Sequence, residues 1–287
     1  MKKTIICILL LISVFIIYLI NSNNKNYLVE IESISDNEIT NGNGVVYKKE
    51  NSDYYILTLY HIIANSNEIY VYSNGIKEKA NLLYFDDYSD IAILTTKSNN
   101  LKVKKLNKCS CKINQNVTLV SINGKKTGTI KDLDFIVDVI NKYGNSRYKS
   151  IVIAAPIELG DSGGIVMDKD KDIIGIISVM DEEYGYAIPI CDAINIATKL
   201  EKSELNRPHL GAIFKNSETD IKGVLVYENK DYPYSFEENS IITKINNVSV
   251  NNISEFRNEL YKYAIGDSVT FEYYYDGAFH TKSIILK

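Results

Sequence analysis

The feature that most restricts the fold is a long succession of short apolar segments separated by turn signals. Between Tyr27 and about Ile188 no long helical pattern interrupts this series. Asn74-Gly75, at the end of one segment, is a strong signal for a two-residue hairpin turn. Many short strands at such spacing are typical of β-sandwiches and β-barrels. We predict strands over residues 44–47, 54–59, 69–72, 91–94, 117–120, 151–154 and 173–177.

A helical pattern first appears close to residue 190. Residues 191–200 follow Pro189 and carry apolar side chains on one helical face, which predicts a helix. A charged stretch then leads to Arg207-Pro208, where we place a domain boundary. Residues 191–206 are therefore interpreted as a linker between a β-rich domain, 25–190, and a small domain, 207–287.

The C-terminal segment predicts a small α+β domain. Ser254 is a candidate N-cap for a helix that runs to about Tyr263, with Glu255 at its positive end. Asp276-Gly277 is a second hairpin signal between two apolar segments. The predicted strands of this domain cover residues 223–226, 241–245, 269–275 and 279–286.

The N-terminus carries a targeting or anchoring segment. Lys2 and Lys3 precede an apolar run from Ile5 to Ile20. As a helix this run spans about 24 Å, close to the roughly 30 Å hydrocarbon core of a bilayer. It lacks an Ala-x-Ala cleavage signal, so we interpret residues 1–24 as a transmembrane anchor, with a cleaved signal peptide as the alternative. Both interpretations leave the paired lysines in the cytoplasm and the chain from about Lys25 outside.

Composition excludes several classes of function. The chain has 32 Lys and Arg against 36 Asp and Glu, and a net charge of −4 does not suit a nucleic-acid-binding protein. Four cysteines in 287 residues exclude a disulfide-rich scaffold, and we expect them to be structural thiols. Cys109 and Cys111 are too close for a zinc or redox pair, and no second pair stands at metal-ligand spacing. We therefore expect neither a metal nor another cofactor.

Gly160-Asp161-Ser162-Gly163-Gly164 is the most specific segment of the chain, and it lies between two predicted strands. A serine hydroxyl becomes an effective nucleophile only when a base takes its proton. The glycines let the backbone approach a substrate carbonyl, so that the amides of Gly160 and Ser162 can point at a developing oxyanion. Taken alone, the segment also fits a glycine-rich turn with a solvent-facing serine.

The β-rich domain contains one histidine, His61, directly after a predicted strand. A lone histidine in an apolar stretch is more often a core residue than a catalyst, but a downstream acid completes a catalytic pattern. Asp90 precedes the strand 91–94, where its carboxylate can be buried against an imidazole and stabilise the imidazolium. Asp86 and Asp87 come before it in a predicted loop, and we interpret them as solvated.

The order His61, Asp90, Ser162 resembles that of the chymotrypsin-like proteases. Three blocks carry the resemblance: Thr-x-x-His-Ile, Asp-x-x-x-Asp-Ile-Ala-Ile-Leu and Gly-Asp-Ser-Gly-Gly. The second block and Gly185-Tyr186-Ala187-Ile188-Pro189 are most similar to the HtrA/Deg (protease Do-like) branch. The N-terminal apolar segment and the small C-terminal domain match the layout of that branch, so the resemblance extends over nearly the whole chain.

The resemblance implies a mainly β fold, a chymotrypsin-like double β-barrel followed by a PDZ-like α+β domain. It implies that Ser162 is the nucleophile, His61 the general base and acid, and Asp90 the acid that orients His61. The amides of Gly160 and Ser162 would form the oxyanion hole. Proteins of this branch are commonly trimers, which implies a homotrimer with contacts in residues 25–41.

Two residues around the nucleophile depart from the pattern of the branch. Asp161 stands where Asn is common, and Ile165 stands where Pro is frequent. In zymogen-activated trypsins the acid before the serine pairs with a newly cut N-terminus. Nothing in this sequence indicates such a cut, so we expect Asp161 to have another partner or to tune the assembly of the site.

The resemblance also indicates where substrate specificity is set. Pro156 lies near the position that forms the base of the primary pocket in trypsin-like enzymes, and Ile157 follows it. Ile177, Ser178 and Val179 are expected to form one wall of the pocket. Because no acid stands at the base, we predict cleavage after small or medium apolar residues such as Val, Ala or Leu.

The C-terminal domain resembles a PDZ module. Leu210, Gly211, Ala212 and Ile213 are similar to the loop whose backbone amides bind a peptide C-terminus. A bound peptide would add to the sheet as an extra strand. A docking domain that binds no free C-terminus is the alternative.

The resulting hypothesis is a membrane-tethered extracytoplasmic serine endopeptidase that acts on unfolded or misfolded proteins. One alternative is a non-proteolytic module that binds or chaperones peptides, although the intact triad argues against it. Another is a signalling protease of narrow specificity. Unfolded proteins, C-terminal peptides and the membrane are the partners that this hypothesis implies.

Overall fold

The computed structural model describes residues 26–36, 38–64, 66–141, 144–205, 207–208, 210, 212–229 and 236–286. The predicted N-terminal anchor, residues 1–24, lies outside these ranges. Within them, no helix is both long and apolar enough to cross a bilayer.

Residues 28–97 form a closed six-stranded barrel in which the strands follow the order β1-β2-β3-β6-β5-β4. Val45, Ile56 and Leu94 are among the side chains with no exposed surface that fill its interior. A single-turn helix, α1 (Tyr60–Ile63), follows the third strand. The strands are β1 (Leu28–Ile34), β2 (Ile39–Glu50), β3 (Asp53–Thr58), β4 (Glu68–Ser73), β5 (Ile76–Asp86) and β6 (Ile91–Lys97).

A second closed barrel follows, in the order β10-β11-β12-β9-β8-β7. Its core contains Leu119, Ile153, Val166 and Ile177. The strands are β7 (Asn116–Ser121), β8 (Gly124–Asn141), β9 (Gly144–Ala154), β10 (Ile165–Met167), β11 (Ile173–Met180) and β12 (Gly185–Pro189). The mainly β, trypsin-like double barrel implied by the resemblance is confirmed.

After the barrels come the helix α2 (Ile190–Glu201) and a third sheet. The sheet follows the order β13-β14-β15-β17-β18, and β16 pairs with β15. Its core of apolar side chains includes Phe214, Phe236 and Phe271. The remaining elements are β13 (Ala212–Asn216), β14 (Val224–Asn229), β15 (Ile241–Ile245), β16 (Val248–Ser249), α3 (Ile253–Leu260), β17 (Ser268–Tyr275) and β18 (Ala278–Ile285).

The helix of the C-terminal sheet begins differently from the prediction. Asn252, not Ser254, is the N-cap, because its side-chain oxygen accepts a hydrogen bond from the amide of Glu255. The helix ends at Leu260, before the predicted end at Tyr263. Asparagine and serine are both favoured N-cap residues, and Asn252 caps the helix two residues earlier than the prediction placed it.

The chain divides into two compact units. The first contains residues up to Tyr84, Ala92–Phe135 and Lys149–Ile194. The second contains Phe85–Ile91, Ile136–Tyr148 and the chain from Asn195 onward.

In the second unit, the interpretation of Asp86 as solvated is wrong. Asp86 is 2% exposed and accepts hydrogen bonds from the amide and the hydroxyl of Ser89. The Nε atom of Arg207 lies 3.4 Å from the Asp86 carboxylate, and its guanidinium stacks on the ring of Tyr88. The burial of Asp86 could not be predicted from the neighbouring residues, because its cation, Arg207, is distant in the sequence.

The expectation of four structural thiols is also wrong. Cys109 and Cys191 form a disulfide that joins the segment between the barrels to the first turn of α2. Cys111 is a free, half-buried thiol, and burial raises its pKa while Lys149 opposes the shift. Cys7 lies outside the described residues.

Candidate active site

The segment between β9 and β10 forms a compact loop around Ser162, hereafter the nucleophile loop (residues 158–164). The amide of Asp161 donates to the carbonyl of Glu158 at 3.0 Å, and the amide of Gly164 donates to that of Asp161 at 2.9 Å. Ile177 on β11 holds the end of the loop by two backbone hydrogen bonds of 2.8 Å. Its carbonyl oxygen accepts from the amide of Gly163, and its amide donates to the carbonyl oxygen of Gly164. The neighbouring strand therefore fixes the conformation of the loop.

Two glycines of the loop adopt left-handed backbone angles. Gly160 has φ +92° and Gly163 has φ +76°. At Gly163 a Cβ atom would also overlap the carbonyl oxygen of Asn43, so a side chain is excluded there by space as well as by conformation. The sequence interpretation of these glycines as positions of close backbone approach is consistent with this geometry.

Asn43, on β2, connects the first barrel to the nucleophile loop. Its Nδ2 atom donates to the carbonyl oxygens of Gly160 at 2.8 Å and Ser162 at 3.0 Å. Its Oδ1 atom accepts from the amide of Ile122 at 2.7 Å. Thr58 donates its hydroxyl to the carbonyl oxygen of Asn43 at 2.7 Å. Asn43 has no exposed surface, and every polar group of its side chain is used within this network.

The Asp161 carboxylate points away from solvent and is held by four donors. They are the Lys126 ammonium at 2.7 Å, the Asn123 amide at 3.0 Å, the Glu158 backbone amide at 2.9 Å and the Ser121 hydroxyl. Burial alone would raise the pKa of Asp161, but these hydrogen bonds outweigh it and lower the pKa below its usual value. Asp161 is therefore an ionised, fully partnered group beside the nucleophile.

Ser162 is half-buried, and its hydroxyl donates to the carbonyl oxygen of Ser178 at 3.1 Å. His61 lies in α1, immediately after β3. The side chain of the next residue, Ile62, reaches Gly163 in the nucleophile loop, 3.1 Å from the position of a Cβ there. The segment that carries His61 and the loop that carries Ser162 therefore pack together.

Asp90 lies in the second unit, in the turn before β6, and is 2% exposed. It has φ +56°, and its amide donates to the carbonyl of Asp87 at 3.3 Å. Thr58 at the end of β3 pairs with Ala92 at the start of β6. His61 follows the first of these strands along the chain and Asp90 precedes the second.

The residues predicted to set specificity differ in exposure. Ile177 and Ser178 are buried, Val179 and Ile157 are half-buried, and Pro156 is exposed. Ile157 packs against Gly185 on β12.

The residues predicted to bind peptide lie in the second unit, at the start of the third sheet. Leu210 is buried in the core of that sheet, and Ala212 packs against the same core. Ile213 is paired with Glu228 through its backbone, and Gly211 lies outside the described residues.

Sequence reasoning missed two residues of the site, Asn43 and Lys126. Both bond to residues that are distant in the sequence, and neither belongs to one of the three motifs that contain His61, Asp90 and Ser162. The position of Asn43 between Gly42 and Gly44, directly before the predicted strand 44–47, was the available signal. In the part of the chain that the structure describes, no three His, Cys, Asp or Glu side chains form a group that could hold a metal ion.

Comparison with known proteins agrees with this geometry. Residues 42–176 match the trypsin-like peptidase domain. The chain is 28% identical to the serine protease Do-like HtrA of Lactococcus lactis subsp. lactis, over 85% of this chain and 70% of that protein. It is 29% identical to the serine protease Do-like HtrA of Bacillus subtilis, over 89% of this chain and 65% of that protein.

A solved structure of the HtrA-type protease AlgW with a tripeptide has the same fold. It superposes with a TM-score of 0.57 at 19% identity, covering 92% of this chain and 94% of that one. The AlgW structure shows the fold alone, whereas the peptidase-domain match and the HtrA relatives support an HtrA-like, trypsin-fold serine endopeptidase.

Proposed function

We propose that the chain hydrolyses peptide bonds of unfolded or misfolded proteins through a triad of Ser162, His61 and Asp90. The proposal is carried by the nucleophile loop, in which Ser162 follows a buried, ionised Asp161 and a left-handed Gly160. Such a loop is rigid before substrate arrives, as electrostatic stabilisation of an oxyanion requires. The packing of Ile62 on Gly163 supports a role for its neighbour His61.

In the proposed reaction the Ser162 Oγ attacks the scissile carbonyl while the imidazole of His61 takes the hydroxyl proton. Asp90 orients the imidazole and stabilises the imidazolium, and its burial favours that role. The amides of Gly160 and Ser162 stabilise the oxyanion of the tetrahedral intermediate. His61 then gives the proton to the leaving amine, and water releases the acyl group by the same route.

For specificity, we propose a primary pocket formed by Pro156, Ile157, Ile177, Ser178 and Val179 that takes Val, Ala or Leu. The apolar character of Ile157 and Ile177 and the contact of Ile157 with Gly185 support a pocket that selects against charged side chains. A peptide library cleaved after Arg would contradict this assignment.

We propose a PDZ-like regulatory role for the C-terminal domain. Its first strand, β13, stands at the edge of the sheet, and α3 packs near β13 and β15. An extended peptide can add to such an edge by backbone hydrogen bonds. AlgW, a protein of the same fold, was solved with a tripeptide. Saturable binding of C-terminal peptides to the full chain, lost when the peptide is amidated, is the expected result; no binding would favour a docking domain.

We also propose that residues 1–24 tether the enzyme to the cell membrane and that the catalytic domain lies outside. The apolar run behind two lysines supports this orientation. Treating intact cells with an added protease tests the proposal. We expect the catalytic domain to be digested; a domain that is protected until the cells are broken would mean that it lies inside.

The experiment that tests the proposed activity is digestion of unfolded casein by the purified full chain, beside Ser162→Ala. We expect the wild-type protein to cleave casein and native, folded proteins to be resistant. Cleavage that persists in Ser162→Ala would assign the activity to another group or to a contaminant. Cleavage of a single protein partner with no casein cleavage would favour the narrow signalling protease.

A further inference from the structure

The side chain of Lys126 is a buried cation at the base of the nucleophile loop. Only 13% of the side chain is exposed, although Lys126 lies on β8, close to the β7–β8 turn. Its ammonium lies 2.7 Å from Asp161 Oδ2 and 2.7 Å from Glu158 Oε1. Both carboxylates belong to the nucleophile loop, so a single cation spans the two ends of the turn that precedes Ser162.

The hairpin that carries Lys126 supplies the remaining side-chain donors to Asp161. Ser121 and Asn123 bond to Oδ1, and Lys126 bonds to Oδ2. Asn123 also donates to the carbonyl oxygen of Leu159 at 3.0 Å. The β7–β8 hairpin therefore holds both the Asp161 carboxylate and the backbone of the nucleophile loop.

We propose that Lys126 is the positioning residue that keeps the nucleophile loop in its oxyanion-binding conformation by neutralising Asp161. The proposal rests on the proposed function, because it assigns a role at the same site. The cation is part of a barrel strand, so the loop needs no newly cut chain end to complete it. Lys126 bonds to Asp161 and Glu158, and its proposed role is exercised through Asp161, the residue next to Ser162.

The consequence of losing the cation follows from burial. Asp161 is 1% exposed, and a buried carboxylate without its counter-ion either takes up a proton or moves toward water. Movement of Asp161 turns the peptide between Asp161 and Ser162, whose amide is one of the two proposed oxyanion donors. Loss of one such donor costs about 100-fold to 1,000-fold in turnover in serine proteases.

The test compares variants of the full chain by turnover of a peptide substrate and by labelling with a fluorophosphonate. Lys126→Met keeps the length of the side chain without its charge, and we expect kcat to fall about 100-fold with little change in KM. Lys126→Arg should keep turnover within about tenfold of wild type because the charge remains. Lys125→Met, at the adjacent exposed position, is the matched control and should behave as wild type.

The double variant Lys126→Met/Asp161→Asn separates positioning from simple destabilisation. Removing both charges leaves no unpaired carboxylate. We therefore expect kcat of the double variant to be at least tenfold higher than kcat of Lys126→Met. Glu158→Gln should change turnover less than threefold, since the Glu158 side chain is 65% exposed. Recovery of turnover at an unchanged melting temperature is the effect that distinguishes positioning from a merely structural role.

Two outcomes would overturn the proposal. The first is that Lys126→Met is folded and has the turnover and labelling of the wild-type protein. The second is that Lys126→Met and the double variant melt at the same temperature and lose the same turnover. Failure of the proposed function gives a different result, because wild-type protein would then not label at Ser162 at all.

Discussion

The backbone amide and the side-chain amide of Asn43 both donate to the carbonyl oxygen of Ser162, at 2.8 Å and 3.0 Å. A residue of the first barrel thus fixes the backbone at the nucleophile, which lies in a loop between two strands of the second barrel. The same side chain also holds Gly160, whose amide is proposed to face the oxyanion. Asn43 bonds to the carbonyl oxygens of Gly160 and Ser162 and Lys126 bonds to the Asp161 carboxylate, and both residues are supplied by barrel strands.

Replacing Asn43 by alanine should lower both activity and stability. Asn43→Ala removes the hydrogen bonds of the Asn43 side chain to the carbonyl of Gly160 and the amide of Ile122, at a cost of about 0.5–1.5 kcal/mol for each bond. We expect kcat to fall about 10-fold to 100-fold, because the loop relaxes around an oxyanion donor. The measurement is turnover at a temperature where thermal unfolding shows the variant folded. Asn41→Ala, at an exposed position of the same strand, is the control, and equal activity of both variants would argue against the restraint.

Gly163→Ala should abolish turnover. The added methyl group would overlap the carbonyl oxygen of Asn43, and φ at Gly163 is +76°. Gly277→Ala is a matched control because φ there is +81° but no atom lies within 4 Å of the added Cβ. We expect Gly277→Ala to cost about 1 kcal/mol of unfolding free energy and to keep full activity. Comparable activity in the two variants would show that the contact with Asn43 is dispensable.

Removing the disulfide should destabilise the protein without blocking the site. The bond between Cys109 and Cys191 closes a sequence separation of 82 residues. A loop of that length contributes about 4 kcal/mol through the entropy of the unfolded chain, or roughly 10 °C in Tm. Calorimetry of Cys109→Ser/Cys191→Ser measures the shift, with Cys111→Ser as the control that should leave Tm within about 2 °C. A shift of similar size in the control would contradict the pairing.

Arg207→Met should produce a pH-dependent loss of stability. Burial raises the pKa of Asp86, and the charge of Arg207 opposes the rise. An acid with a raised folded pKa binds more protons when folded, so its contribution to the free energy of unfolding falls as pH rises from the unfolded toward the folded pKa. Without Arg207 that fall becomes larger, while the methionine retains apolar contact with Tyr88.

Thermal melts between about pH 4 and pH 7 measure this difference, since model carboxyl groups titrate near pH 4. The Tm of Arg207→Met should approach that of wild type at the acid end and diverge as pH rises. Adding Asp86→Asn should remove the pH dependence of the difference. A difference that is constant with pH would mean that Arg207 contributes packing rather than charge.

Much of the double barrel was predictable because strand periodicity and turn chemistry are local. Asn74 and Gly75 form the turn that their sequence indicates, with φ +51° and +78°. The burial pattern of β4 alternates as a strand with one face in a core should. Ser162 stands out for the same local reason, since the glycines around it reveal a turn with close backbone contacts.

The restraints on the site were not predictable from the sequence because they join distant segments. Asn43 bonds across 117 residues to Gly160, and Lys126 bonds across 35 residues to Asp161. Asp86 has the sequence context of a solvated loop residue, and only the tertiary structure brings Arg207 next to it. The pairing of Cys109 with Cys191 follows no spacing rule. Which residues form these pairs depends on strand register and tertiary packing, which the residue types alone do not determine.

The central claim, that Ser162 is an activated nucleophile, is tested most directly by locating the adduct of a fluorophosphonate probe. The purified full chain is labelled, digested and analysed by peptide mass spectrometry, beside Ser162→Ala and His61→Ala. The account predicts one phosphonylated residue, Ser162, with no labelling in Ser162→Ala and labelling at least about 100-fold slower in His61→Ala, since a serine without its base is a weak nucleophile. An unlabelled wild-type protein, or an adduct that persists in Ser162→Ala, would contradict it.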